Sequence, residues 1–82
     1  MDAAQPNLIA TMAFDPLTGL LDLDEHLAVL KTSAGERGYP FDRHAVRNEL
    51  QAATFRLRDA RSIRLLVSPT GTLAIEVSAP LG

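Results

Sequence analysis

Few residues in this chain have side chains suited to covalent chemistry: Lys31 is the only lysine, cysteine is absent, and of the serines Ser33 stands near a histidine, His26. A lysine amine can attack a carbonyl and hold it as an imine, which leaves Lys31 as the only residue able to form such a link. A histidine and a hydroxyl in hydrogen-bond contact make a base and its nucleophile. On one helix, however, the spacing of His26 and Ser33 puts them about 10 Å and two turns apart, so they form no local dyad. By itself His26 reads as a packed or water-facing histidine, and Ser33 as a hydroxyl that bonds to backbone near a helix end. Two histidines far apart in sequence, with no thiolate to support them, do not make a metal site. The residues alone assign no catalytic group and no metal ligand.

All three candidates lie in the stretch from Leu23 to Gly38, LDEHLAVLKTSAGERG, the best-marked helix in the chain. Asp22 stands before it as an N-cap, and Glu25 falls at the third helical position, the capping-box arrangement. Leu23, Leu27, Leu30 and Ala34 recur at helical spacing and form a core stripe. A second line, His26, Val29 and Ser33, is displaced from the first and is free to face a partner or ligand. At about 100° per residue Lys31 points roughly 165° away from that line. The helix should stop near Arg37, because Gly38 accepts a left-handed conformation and Pro40 cannot continue it, with Gly35 as an earlier fraying point.

The run LIATMAFDPLTGLLDLDEHLAVLKTSAGERGYPFD resembles the start of the class IV aminotransferases, pyridoxal-phosphate enzymes that include 4-amino-4-deoxychorismate lyase. It is most similar to the lyase segment fused behind aminodeoxychorismate synthase component I. In that family the strand reads hydrophobic-hydrophobic-Glu-Thr and the helix reads His-Leu-x-Arg-Leu-x-x-Ser, with the Arg reaching the cofactor phosphate. Leu8, Ile9, Thr11, His26, Leu27, Leu30, Ser33 and Ala34 match, whereas Ala10 stands at the Glu position and Val29 at the Arg position. The resemblance implies that His26, Val29 and Ser33 are cofactor-side positions in one wall of an interdomain cleft. It also implies that the catalytic lysine belongs to a second, larger domain and is not Lys31. The match is strong from Leu8 to Asp42 and weaker from there to Pro80, where element order and a strand pair carry it.

Eighty-two residues make one small domain, residues 8–82, preceded by a loose polar lead-in at 1–7. A hydrophobic fraction of 46% suits a single core. No apolar run approaches the roughly 20 residues needed to cross a bilayer, and MDAAQPN lacks the basic and apolar parts of a signal peptide. A soluble, cytoplasmic protein is the expectation. The net charge of −2 is unevenly spread: residues 1–34 carry −4 and residues 35–64 carry +3. A nucleic-acid face built on Arg43, Arg47, Arg56, Arg58 and Arg61 would need aromatic or recognition-helix support, and with four aromatics in the chain a solvated or partner-facing surface is the better reading.

Leu8 to Phe14 reads as a strand with apolar residues on both faces, which calls for cover on both sides. Asp15-Pro16-Leu17-Thr18-Gly19 supplies a turn, and Leu20-Leu21 pairs back briefly. Asp42 caps a second helix with Phe41 and Val46 as a hydrophobic staple. Its buried stripe is expected to be Val46, Leu50, Ala53 and Leu57, with Arg43, Arg47, Glu49 and Arg56 on a wet flank. A final hairpin turns at Ser68-Pro69-Thr70-Gly71, with Gly71 as a left-handed bulge. That turn pairs Ile63 with Val77, Leu65 with Ile75 and Val67 with Leu73 on the core face, and Arg64 with Glu76 on the other.

These elements predict an α+β domain in the order ββααββ, a four-stranded, mainly antiparallel sheet packed on two helices. Through the resemblance the chain is expected to be the N-terminal domain of an aminodeoxychorismate-lyase-like enzyme of 4-aminobenzoate and folate biosynthesis. Without the large catalytic domain it should neither bind pyridoxal phosphate nor catalyse. The alternative is a noncatalytic interaction or oligomerisation module derived from that fold. A core this small needs supplementing, so a homodimer is the expected state, with Met12 and Val29 as its candidate contacts.

Overall fold

The computed structural model describes residues 5–80. Six elements follow in the expected order: β1 (Leu8–Asp15), β2 (Gly19–Leu20), α1 (Leu23–Arg37), α2 (Arg43–Thr54), β3 (Arg61–Val67) and β4 (Leu73–Ser78). The strands form one sheet in the order β2-β1-β3-β4, and every neighbouring pair is antiparallel. Both helices lie on one face of it. Leu8, Ala10, Met12 and Phe14 of β1 and Ile63, Leu65 and Val67 of β3 meet Leu27, Leu30 and Ala34 of α1 and Val46 and Leu50 of α2 in a single core.

The β3–β4 register is the one that the turn chemistry dictates. Ile63 pairs with Val77, Leu65 with Ile75, Val67 with Leu73 and Arg64 with Glu76, and the Arg64 Nε lies 3.5 Å from Glu76 Oε1. The Gly71 N–H donates to Ser68 O at 2.9 Å, closing the turn, and Gly71 takes φ 88°. Val77, expected on the core face, is 42% exposed. It lies near the end of an edge strand, past the cover that the helices give.

Three other expectations change. The outer face of β1, with Ile9, Thr11 and Ala13, is open, and Ile9 is 53% exposed, so the strand is covered on one side only. Met12 is on the covered side, in the core, and is no surface contact. On α2 the buried residue of the last turn is Thr54, not Ala53. At 100° per residue, Thr54 and Val46 flank Leu50 symmetrically by about 40°, whereas Ala53 is displaced by about 60°. The Thr54 hydroxyl donates to Leu50 O at 2.9 Å, which satisfies it in the core.

Both ends of α1 are defined locally, although one differs from expectation. Asp22 is the N-cap residue but adopts a left-handed conformation, φ 56° and ψ 32°, and its side chain accepts no capping bond. The short β2 hairpin delivers the chain to α1 in that conformation, which turns the carboxylate away from the first-turn amides. At the other end, the Tyr39 N–H reaches Ala34 O at 2.9 Å and the Gly38 N–H reaches Gly35 O at 3.4 Å, with Gly38 at φ 75°. This is the Schellman closure, and Gly35 does not fray the helix before it. Asp42 caps α2 as read, accepting from the His44 and Ala45 amides. Of the lead-in, Pro6 is tethered: the buried Tyr39 donates its hydroxyl to Pro6 O at 2.6 Å.

Candidate functional site

The layer that positions the candidate residues is α1 on β1. Phe14 and Leu23 share one cleft, and at the far end Tyr39 reaches Pro6, so the helix runs antiparallel to the strand. Ala10, midway between Pro6 and Phe14, therefore lies under the middle turns of α1, near the level of Leu30 and Lys31 and within a turn of Val29. The two positions that depart from the aminotransferase motif thus sit in the same slice of the domain. Ala10 is buried in it and Val29 is outside it.

The periodicity of α1 places His26, Val29 and Ser33 along one flank. His26 and Ser33 are half-buried, while Val29 is 66% exposed. A shallow depression of about 290 Å³ is lined by Ala28, Val29, Thr32 and Ser33, and His26 is not part of it. Lys31 is exposed and does not border the depression. Methyl groups and hydroxyls make this surface able to meet an apolar or weakly polar partner. It offers no cationic donor.

The opposite flank of α1 carries a contact that the sequence reading missed. Asp24 receives the Arg47 Nη1 at 2.6 Å, and the Arg43 Nη2 lies 3.5 Å from the same oxygen. The hydrogen bond from Arg47 is the main reason its carboxyl is held below the usual carboxylate value, followed by the charges of Arg47 and Arg43. Two arginines four apart on one helix face share a neighbour by geometry, and that spacing was the available signal. Arg43 and Arg47 thus face α1, and Arg61 lies 3.8 Å from Asp59. The clasp borders a cleft of about 670 Å³ between the β1–β2 turn, the start of α1 and the end of α2. Phe14, Leu20 and Leu23 line it on one side and Phe55 and Leu57 on the other, with Asp22, Asp24 and Glu25 contributing acidic groups. Among the described residues no group of three or more histidine, cysteine or acidic side chains is placed to hold a metal ion. No helix among them is long and apolar enough to cross a membrane.

No family model and no curated protein matches the chain. Among solved structures, it is similar to the crystal structure of a provisionally assigned amino-acid aminotransferase from Mesorhizobium loti, with a TM-score of 0.83 and 32% sequence identity. The match covers 95% of this chain and 39% of that one, so this chain spans about two-fifths of the length of the protein it resembles. The two folds superpose over almost the whole of this chain, which therefore folds as an aminotransferase-like α+β domain.

Proposed function

We propose that this chain is the N-terminal domain of a class IV aminotransferase-like enzyme of the aminodeoxychorismate lyase type, acting in 4-aminobenzoate and folate biosynthesis in the cytoplasm. The observation that carries this reading is the 32% identity over 95% of the chain to two-fifths of a longer aminotransferase. Enzymes of this class take pyridoxal phosphate, which supplies an electron sink for bonds at the substrate's amine-bearing carbon. The residues present do not fit that cofactor. A cradle needs a lysine beside the bound aldehyde and donors for the phosphate. Here Val29 stands where the phosphate-binding Arg belongs, and Lys31 points away from the line of His26, Val29 and Ser33. In this reading the chain supplies one wall of a cleft and depends on a larger domain for cofactor and catalysis.

The test is to assay 4-aminobenzoate release by the chain alone and by the chain joined to the part of the Mesorhizobium loti relative that it does not match. The expected result is no activity alone and measurable activity when joined. Release by the isolated chain, or a new visible absorbance band on adding pyridoxal phosphate that Lys31→Ala removes, would overturn the reading. A second reading, a noncatalytic interaction module on the same fold, is favoured by one specific pair of residues. Apolar Ala10 and Val29 occupy both departures from the motif in one slice of the β1–α1 layer, and Val29 is exposed. Inactivity of the joined protein with its fold intact would favour that alternative.

A further inference from the structure

Among the described residues two polar ones are buried, Thr54 and Ser62. Thr54 satisfies its hydroxyl inside the core, on Leu50 O at 2.9 Å. Ser62 is on the other face of the sheet, where its partners in register, Ala13 of β1 and Ser78 of β4, are exposed. Yet only 6% of Ser62 is accessible. The chain beyond β4 accounts for the cover. Pro80 comes back across β3 far enough to line a pocket together with Thr11 and Ala13 of β1. Ala60, Arg61 and Ser62 line the same pocket, which measures about 180 Å³.

The Ser62 hydroxyl has no hydrogen-bond partner among the described residues, and none of their unbonded polar side-chain atoms is fully enclosed. That hydroxyl therefore opens on the pocket it lines. A polar group so buried is costly to leave without a partner. Beside it, Arg61 is only loosely held: its Nη2 lies 3.8 Å from Asp59 Oδ2, and its Nη1 donates to Ala60 O at 3.3 Å. Thr11 brings a second hydroxyl. No aspartate or glutamate lines the pocket, and the rest of the lining is alanine, proline and the neighbouring Met12 and Phe14.

We propose that this pocket binds a small carboxylic acid with a compact apolar body. Ser62 and Arg61 donate to the carboxylate, a charge-assisted arrangement that a neutral ligand cannot complete. Ala13, Ala60 and Pro80 cover the apolar part, which a bare hydrated anion would leave facing water. The volume is below the roughly 300–1,000 Å³ of pockets for drug-sized molecules, so the acid is small. The site is distinct from the α1 flank of His26, Val29 and Ser33, because it opens on the face of the sheet away from the helices. It holds in either functional reading above.

The experiment titrates the whole chain with benzoate and follows the backbone amide resonances. The expected result is a saturable shift at Thr11, Arg61 and Ser62, with the amides of His26, Val29 and Ser33 unmoved. Ser62→Ala should weaken binding about fivefold and Arg61→Gln about tenfold or more, the usual difference between losing a neutral and a charged donor. Circular dichroism should be unchanged in both. Benzyl alcohol should bind more weakly than benzoate, and sulfate should not displace it. Arg56→Gln removes the same charge outside the pocket and should leave benzoate binding as it is. Absence of a saturable shift at Ser62 into the high millimolar range would overturn the proposal. So would equal binding of benzyl alcohol, or unchanged affinity in folded Ser62→Ala and Arg61→Gln. A loss in Arg56→Gln as large as in Arg61→Gln would overturn it as well, since the effect would then be one of net charge.

Discussion

Asp24 is held by two guanidinium groups in the open, the Arg47 bond at 2.6 Å and the Arg43 contact at 3.5 Å, and its carboxyl therefore titrates below the usual 3.8. A group whose folded-state pKa is depressed contributes stability that is complete above the unfolded value and is lost as pH falls through the folded one. Solvent screens such a pair, so the effect is small and sensitive to salt. The expected outcome is that urea midpoints of wild type and Asp24→Asn differ by a constant amount above about pH 5 and converge as pH falls below 3.8. Added salt should shrink the difference at neutral pH. A gap that persists unchanged at pH 2 would mean that the carboxylate charge is not its source. The clasp matters structurally because it joins the first turn of α1 to α2.

At the scale of elements, the β3–β4 turn and the α1–α2 loop constrain one another. Gly71 sits at φ 88°, and a Cβ built there would lie 3.0 Å from Pro40 Cβ and 3.1 Å from Pro40 O. Left-handed backbone and close approach to main chain both favour glycine at this position. Gly71→Ala should therefore cost about 1 kcal/mol or more, through strain in the turn and displacement of the loop that follows the Schellman closure. Chemical denaturation would measure that cost. Hydrogen exchange should show faster opening of the β4 amides before those of β1. Equal stability of variant and wild type would mean that the hairpin shifts freely from Pro40. The Asp42 cap and the Gly38 closure are less dependent on their surroundings, since each is completed by backbone groups within a few residues.

The whole molecule holds together through one core. Leu27 from α1, Leu50 from α2 and Leu65 from β3 are all fully buried and belong to the same cluster. No element keeps a core of its own, so the domain should unfold as a unit. Leu50→Ala is expected to lower stability by about 2–5 kcal/mol, the range for truncating a buried leucine. Far-UV circular dichroism and the Tyr39 signal should then shift to the same lower midpoint. Separate transitions for the two probes would show that β1 and α1 persist without α2. The large cleft at the junction of the β1–β2 turn, α1 and α2 is also a property of this assembly, because its walls come from segments that no short window of sequence brings together.

The sequence by itself determined what depends on near neighbours: the order of elements, the Asp42 cap, the closure at Gly38 and the register from Ile63 to Val77. Turn chemistry and helical period act over a few residues, and each leaves a readable mark in residue type and spacing. The line of His26, Val29 and Ser33 was legible for the same reason. Only the tertiary structure decided that β3 lies beside β1, that one face and one edge of β1 stay open, and that Asp24 is held by Arg47. Strand order and which side the helices cover depend on how the whole core is filled, and many chains with the same local signals fill it differently. The left-handed Asp22 and the exchange of Ala53 for Thr54 are smaller cases of the same cause: the path of the connection, and the direction of the core, overrode the local preference of the residue.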